Sequence, residues 1–219
     1  MAYRAVLLDM DGTVLDTLDD LAAAVNACFR RFGVPEVSRE LVREKLGNGA
    51  VYLIHACVPE GMDEERIQEL IAWYKPYYDA HCRIETRPYP GIPELMAELK
   101  AQGVKQAIIS NKPDPAVQEL AEKFFPGLLE TAVGESERVR RKPDPDAVLA
   151  AVERMGFTKE DCVYIGDTEV DLATARNAGM DVIAVSWGFR SEEHLRAAGA
   201  VRIAHSAKEL GEMIHETGM

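Results

Sequence analysis

The chain has 219 residues, of which 47% are hydrophobic and 28% are charged, and its formal net charge is -12 at pH 7. This composition is typical of a globular protein and excludes a disordered or fibrous chain. Because nucleic-acid surfaces concentrate basic residues, the acidic balance argues against a nucleic-acid partner. An anionic substrate would need a locally basic site, made by a few lysines and a metal ion.

Cysteine and histidine spacing gives no sign of a zinc or redox site. The four cysteines form no CxxC pair, and the five histidines have no spacing such as HExxH. We expect free, buried thiols in a reducing compartment. The sequence shows no charged-then-apolar leader and no run long enough to span a membrane. These features predict a soluble cytoplasmic protein without a membrane partner, either a monomer or a homodimer.

The first predicted element is a buried strand that ends in acidic residues. The apolar run Ala5–Leu8 leads directly into Asp9 and Asp11, with one residue between them, and then into Gly12 and Thr13. In open α/β sheets, ligands bind just beyond the carboxyl ends of the strands. Neighbouring carboxylates repel each other unless a cation lies between them, and Mg²⁺ prefers such oxygen ligands. The stretch therefore predicts a magnesium site.

The next part of the chain, residues 17–87, predicts helices alone. Apolar residues recur there at helical spacing, and Pro76 should kink or break the last helix. Four neighbouring aromatic residues in that helix favour packing within the insertion over contact with a substrate. The helical segments begin near Thr17, Ser38, Ala50 and Asp63.

From residue 88 onward, strands and helices alternate. Strands are predicted at 105–110, 130–134, 162–165, 181–186 and 200–204. Strands separated by helices imply a parallel, doubly wound sheet with right-handed crossovers. The predicted fold class is α/β, with a core of residues 1–16 and 88–219 and an inserted all-helical domain of residues 17–87.

Polar residues follow two further strands and one loop. Ser110, Asn111 and Lys112 follow the second strand, Asp167 and Asp171 follow a later one, and Lys142 lies in a loop. Because parallel strands end at one edge of a sheet, these side chains can gather around one ligand. Carboxylates, a hydroxyl and a lysine are the groups that magnesium-assisted phosphoryl transfer uses. The repeated sequence KPDP, at 112–115 and 142–145, also fits ordinary helix-start chemistry, which explains its prolines and aspartates better than its lysines.

The motifs DMDGTVLDT, SNK, KPDP and GDTEVD occur in this order, each at a predicted strand end or in the loop after it. They resemble the four motifs of the haloacid dehalogenase superfamily, and the helical insertion resembles that superfamily's small helical cap. The likeness extends over essentially the whole chain. It implies a magnesium-dependent phosphatase that works through an aspartyl-phosphate.

The resemblance also implies a role for each catalytic residue. Asp9 would be the nucleophile, and Asp11 would be the general acid and base, which Thr13 helps to position. Ser110 would hydrogen-bond a phosphoryl oxygen. Lys142 would balance the charge of the nucleophile and the phosphoryl group.

Metal and substrate ligands follow from the same resemblance. Mg²⁺ would be held by Asp9, the backbone carbonyl of Asp11 and Asp167, with Asp171 behind them. Asn111 would contact the phosphoryl group through its backbone amide. The other implied substrate-binding residues are Met10, Lys112, Gly47, Asn48 and Gly49.

The acid at position 11 separates the activities of the superfamily. Its dehalogenases lack this acid and its phosphatases have it, so dehalogenation is disfavoured. A phosphonate-cleaving activity needs a cap lysine, and neither Lys45 nor Lys75 has a context that fits. The stretch 47–50 resembles the cap loop of phosphoglycolate phosphatases, although Gly-Asn-Gly is also common turn chemistry. Phosphoglycolate is the expected substrate; a pyrophosphatase, a phosphosugar mutase or phosphatase, and a non-catalytic binding or regulatory protein are the alternatives.

Overall fold

The computed structural model describes residues 3–216. Its strands are β1 (Ala5–Leu8), β2 (Leu15–Asp16), β3 (Arg87–Pro88), β4 (Lys105–Pro113), β5 (Thr131–Glu135), β6 (Cys162–Gly166), β7 (Asp181–Val185) and β8 (Ile203–Ala204). Six of them form a sheet in the order β5-β4-β1-β6-β7-β8, and every neighbouring pair is parallel. The predicted doubly wound α/β fold is therefore confirmed.

Helices cover both faces of this sheet. They are α1 (Leu18–Phe32), α2 (Arg39–Lys45), α3 (Gly49–Cys57), α4 (Glu64–His81), α5 (Ile92–Ala101), α6 (Asp114–Phe124), α7 (Asp146–Met155), α8 (Glu169–Ala178), α9 (Glu192–Ala197) and α10 (Ala207–His215). None of the helices described in residues 3–216 is long and apolar enough to cross a lipid bilayer.

Strand β1 lies at the centre because all four of its residues are apolar and buried. Successive side chains of a strand point to opposite faces, so Val6 and Leu8 pack on one side and Ala5 and Leu7 on the other. The first side is covered by α5, α6 and α10, and the second by α7 and α8. A strand that is buried on both faces has a continuous run of apolar residues, and this run predicts β1 from the sequence.

The four helices α1 to α4 form the insertion between β2 and β3. These two strands pair antiparallel, with Leu15 opposite Pro88 and Asp16 opposite Arg87, so the chain leaves and returns side by side. The carboxylate of Asp20 accepts hydrogen bonds from two backbone amides just before β3. The apolar residues of the insertion belong to the same hydrophobic cluster as one face of the sheet.

Three elements differ clearly from what the sequence predicts, and the last strand, β8, is one of them, since it covers only Ile203–Ala204 of the predicted 200–204. The expected break at Pro76 is wrong, because α4 continues through it. Proline removes one backbone donor from a helix, and the burial of Tyr74 and Tyr78 on either side of Pro76 outweighs that loss. Strand β4 extends past the predicted end at residue 110 to Pro113, with an irregularity in its pairing with β5 after Ile109.

Candidate active site

A cavity of about 50 Å³ lies between the carboxyl ends of β1 and β4 and the helical insertion. The polar residues that the core contributes to its wall are Asp9, Asp11, Ser110, Asn111, Lys112 and Lys142. The insertion contributes Leu21, Leu46, Gly47, Gly49, Ala50, Leu53, Tyr74 and Tyr78. The wall is therefore charged on the core side and largely apolar on the side of the insertion.

Three buried carboxylates converge beneath the cavity. Asp9, Asp167 and Asp171 each place one oxygen within 4.8 Å of the others. The ammonium of Lys142 lies 2.7 Å from Asp9 Oδ1 and 2.7 Å from Asp171 Oδ1. One lysine does not neutralise three carboxylates, so the ionised cluster would carry excess negative charge that a bound cation could neutralise. Its donors are all oxygen, which suits Mg²⁺.

The pKa values of these groups reflect the shortage of positive charge. Burial, together with the charges of Asp171 and Asp11, raises the pKa of Asp9 to about 7 against the attraction of Lys142. Burial, together with the charges of Asp171 and Asp9, also raises the pKa of Asp167 well above its usual value. Burial opposes the charge of Lys142, but Asp171 and Asp9 hold its pKa well above the ordinary value. A bound cation would favour the ionised carboxylates.

Asp167 is held by two hydrogen bonds from opposite sides. The hydroxyl of Thr13 donates to Oδ1 at 2.9 Å, and the amide of Phe189 donates to Oδ2 at 2.7 Å. A side chain at Gly12, whose φ is 85°, would collide with this carboxylate. The resemblance implied that Thr13 helps to position Asp11, whereas the structure shows its hydroxyl bound to Asp167.

Asp171 uses both oxygens to organise its neighbours. Its Oδ1 accepts from Lys142, while its Oδ2 accepts from the amides of Asp167 and Thr168 and from the Thr168 hydroxyl. The residue therefore orients the lysine and fixes the start of α8. Neither Asp167 nor Asp171 lines the cavity wall itself, so both carboxylates lie beneath it.

Asp11 faces a different lysine from Asp9. Its Oδ1 lies 2.9 Å from the ammonium of Lys112, at an ion-pair distance without the alignment of a hydrogen bond. Lys112 in turn donates to the hydroxyl of Tyr78, and its ammonium lies 4.6 Å from the centre of that ring. The insertion thus reaches Asp11 through one tyrosine and one lysine.

Asn111 links three parts of the site. Its side-chain amide donates to the carbonyls of Gly47 and Lys142, each at 3.0 Å, and its carbonyl oxygen accepts from the amide of Lys142 at 2.8 Å. The neighbouring Ser110 accepts a hydrogen bond from the Lys112 amide, at 3.2 Å. Ser110 is one of the residues that line the cavity.

Glycines 47 and 49 bring the loop between α2 and α3 close to the core. Their φ angles are 110° and 81°, which L side chains rarely adopt. Helix α3 begins at Gly49, and the side chain of its N-cap residue, Asn48, makes no hydrogen bond to the amides at the end where Gly49 and Ala50 line the cavity. Asn48 occupies the cap position but lies outside the wall.

The cavity wall differs in part from the site residues that the sequence predicts. The side chain of Met10 is buried in the hydrophobic core, so a substrate could meet only its backbone. Tyr74 and Tyr78, which sequence reasoning assigned to packing, are in the wall. Their spacing of four residues puts both hydroxyls on one face of α4, and that spacing is the signal that could have identified them.

Comparison with known proteins gives the family. Residues 6–185 match the family model described as haloacid dehalogenase-like hydrolase. The chain is 32% identical to the N-acetylmuramic acid 6-phosphate phosphatase of Pseudomonas aeruginosa, over 96% of this chain and 94% of that protein. It is 33% identical to phosphoglycolate phosphatase 1 of the same organism, over 85% of this chain and 70% of that protein.

A solved structure agrees with these relatives. A candidate phosphoglycolate phosphatase from Lactobacillus delbrueckii subsp. bulgaricus has a TM-score of 0.94 and 40% sequence identity to this chain. The superposition covers 99% of this chain and 100% of the other. The chain therefore belongs to the haloacid dehalogenase-like hydrolases, and within that family it is a phosphatase.

Proposed function

We propose that this phosphatase hydrolyses 2-phosphoglycolate with Asp9 as the nucleophile and Mg²⁺ as the cofactor. The observation that carries the proposal is the small cavity whose wall contains both Asp9 and the start of α3, where the N-cap residue makes no side-chain hydrogen bond to the helix. Asp9 attacks phosphorus and the ester bond breaks, while Asp11 gives a proton to the departing glycolate oxygen. Asp11 then takes a proton from water, which attacks the aspartyl-phosphate and releases inorganic phosphate.

The remaining core residues bind and orient the phosphoryl group. Ser110 and the backbone amide of Asn111 donate hydrogen bonds to its oxygens, and Lys142 offsets negative charge beside Asp9. Lys112 lies against Asp11 and keeps that carboxylate beside the leaving group. The backbone of Met10 is the last of these groups that bind the phosphoryl group.

Asp9, Asp167 and the backbone carbonyl of Asp11 would hold the Mg²⁺, with Asp171 orienting Lys142 beside them. When bound, the ion supplies positive charge that the buried carboxylates lack and that a phosphoryl group requires. The choice of Mg²⁺ is supported by the oxygen-only donor set of the cluster.

The choice of a two-carbon acid rests on size and charge. The cavity of about 50 Å³ must hold the phosphoryl group as well as the leaving group, so it favours a leaving group of few heavy atoms. The first amides of a helix bind anions because they lack backbone acceptors and lie at the positive end of the helix dipole. The α3 amides at Gly49 and Ala50, together with Gly47 and Asn48 before them, would therefore receive the glycolate carboxylate.

The insertion acts as a cap in this proposal. Residues 17–87 form the cap domain, residues 1–16 and 88–219 form the catalytic core, and the paired strands β2 and β3 form the hinge. Closure excludes bulk water from the aspartyl-phosphate. We place the enzyme in the cytoplasm, a location that the four free and buried cysteines support.

N-acetylmuramic acid 6-phosphate is the second candidate substrate. It is favoured by the relative of that activity, which matches 96% of this chain. Its sugar leaving group is much larger than glycolate and would require the cap to stand away from the core. The size of the cavity therefore favours phosphoglycolate.

Release of inorganic phosphate from a panel of substrates tests the proposal. The panel contains 2-phosphoglycolate, N-acetylmuramic acid 6-phosphate, pyrophosphate and a hexose phosphate, each assayed with Mg²⁺. We expect the highest kcat/KM for 2-phosphoglycolate. Faster release from another member would overturn the choice of substrate, and an isomeric phosphosugar in place of free phosphate would indicate a mutase.

A further inference from the structure

Two tyrosines of α4 stand one above the other in the cavity wall. The rings of Tyr74 and Tyr78 stack with their centres 5.8 Å apart and their planes 4° from parallel. Both side chains are almost completely buried, at 1% and 2% exposure. They differ in what their hydroxyls contact.

The hydroxyl of Tyr78 accepts a hydrogen bond from Lys112, whereas that of Tyr74 has no partner within the described part of the chain. A buried hydroxyl without a partner lowers stability, because the group has lost its hydrogen bonds to water. Burial also raises the pKa of Tyr74 well above its usual value, so the phenol keeps its proton and remains a donor. A donor that costs stability in the free protein is well explained if a ligand supplies the acceptor.

The cavity limits what that acceptor can be. Leu21 and Leu53 line the same region and offer no acceptor in their side chains. In the proposed function the phosphoryl group is bound beside Asp9 and Lys142 on the core side of the wall, whereas Tyr74 is on the side of the insertion. The part of the substrate that reaches Tyr74 is therefore the leaving group. Lys112 pairs with Asp11 and offsets part of its negative charge. The positive charge of Lys112 also opposes the rise in the pKa of Tyr74.

We infer that the Tyr74 hydroxyl donates a hydrogen bond to the leaving group and selects short phosphate esters whose leaving group carries a carboxylate. This inference rests on the proposed function, since it specifies how the same site recognises glycolate. The α3 amides and the phenol would bind the carboxylate together, one through backbone donors and the other through a side chain. A hydrogen bond to a charged acceptor contributes about ten- to hundredfold in affinity.

The test compares 2-phosphoglycolate with ethyl phosphate, which has a methyl group where glycolate has its carboxylate. We measure kcat/KM for both esters in the wild type and in Tyr74→Phe, which removes only the hydroxyl. The matched control is Tyr77→Phe on the same helix, whose ring is stacked between Trp73 and His81 outside the cavity wall. Thermal unfolding midpoints are measured for all three proteins.

We expect Tyr74→Phe to lower the preference for 2-phosphoglycolate over ethyl phosphate by about ten- to hundredfold, with an unfolding midpoint no lower than that of the wild type. Tyr77→Phe should keep the preference. A wild type that prefers phosphoglycolate and a Tyr74→Phe variant that keeps this preference would overturn the inference alone. So would a lower midpoint for Tyr74→Phe, because it would show that the hydroxyl is already bonded in the free protein. A wild type without the preference would overturn the proposed function and this inference together.

Discussion

Two buried lysines divide the carboxylates of the site between them. Lys142 lies between Asp9 and Asp171, while Lys112 lies against Asp11. Each lysine begins one of the two KPDP sequences, whose prolines and aspartates stand at the starts of α6 and α7. The helix starts therefore explain the prolines and aspartates of each KPDP sequence. The carboxylates that the two lysines face explain the lysines.

Replacing Lys142 should expose the charge imbalance of the cluster. With Lys142→Gln, the three buried carboxylates lose their nearest positive charge, so we expect the free energy of unfolding to fall by about 3–5 kcal/mol without Mg²⁺. Adding Mg²⁺ should restore part of that loss. Urea unfolding with and without the ion measures both effects.

The control for this variant is Lys208→Gln, which alters a lysine whose partner Glu212 lies on the protein surface. Exposed ion pairs contribute little, so this change should leave the unfolding curve nearly unaltered. Equal stability of Lys142→Gln and the wild type in chelator would contradict the claim that the lysine offsets the carboxylates.

The predictability of the site differs from residue to residue. Asp9 and Asp11 were identifiable because they stand in a short motif at a strand end, and Lys142 because its loop carries another such motif. The role of Tyr74 was not, because a hydroxyl without a partner is a property of the folded chain. The partner of Thr13 was also hidden, since Asp167 is 154 residues away in sequence.

At the scale of elements, the loop between α2 and α3 is fastened to the core by polar side chains. Arg190 donates to the carbonyls of Leu46 and Arg43, at 2.8 and 3.1 Å, and pairs with Glu169. Asn111 holds the carbonyl of Gly47. These contacts keep the glycines of the loop in the cavity wall and satisfy carbonyls at the end of α2.

Removing this fastening should weaken substrate binding more than it slows turnover. In Arg190→Ala the loop loses two hydrogen bonds from a charged donor, so we expect KM for 2-phosphoglycolate to rise by roughly tenfold. Steady-state kinetics measures this change. Arg196→Ala is the control, because Arg196 pairs with Glu192 on the surface; a KM for Arg190→Ala equal to that of the control would refute the role of the loop.

The elements themselves were largely predictable, because their apolar periodicity is strong. Strands β5, β6 and β7 lie within a residue of their predicted bounds, whereas β8 covers only the last two of the five residues predicted for it. The other exceptions depend on tertiary contacts. Helix α4 passes through Pro76 because its buried tyrosines hold it, and β4 continues to Pro113 because β5 pairs with it there.

At the scale of the whole molecule, metal binding should stabilise the fold. The chain carries a net charge of -12 and buries three carboxylates beside one lysine. A cation that binds the native cluster alone shifts the unfolding equilibrium. We expect the thermal midpoint to rise by roughly 5–10 °C when Mg²⁺ reaches a hundred times its Kd, relative to chelator.

Asp167→Asn provides the control for this shift. It removes one anionic ligand, so its midpoint should respond far less to Mg²⁺ than that of the wild type. Differential scanning calorimetry across a series of Mg²⁺ concentrations measures both proteins. A wild-type midpoint that does not change with Mg²⁺, or turnover that survives chelation, would argue against the metal.

Detection of the aspartyl-phosphate intermediate would be the most direct test of the mechanism. In Asp11→Asn the residue that activates water is lost, so the phosphoryl group should remain on Asp9 after transfer. An aryl phosphate is the appropriate substrate, because its leaving group departs without a proton. Asp9→Asn/Asp11→Asn serves as the control.

The decisive measurement is mass spectrometry of Asp11→Asn after acid quenching, as intact protein and as peptides. We predict one added phosphoryl group per chain, located on Asp9 and absent from the double variant. A phosphoryl group on another residue, or none while phosphate is still released, would contradict the assignment of Asp9 as the nucleophile.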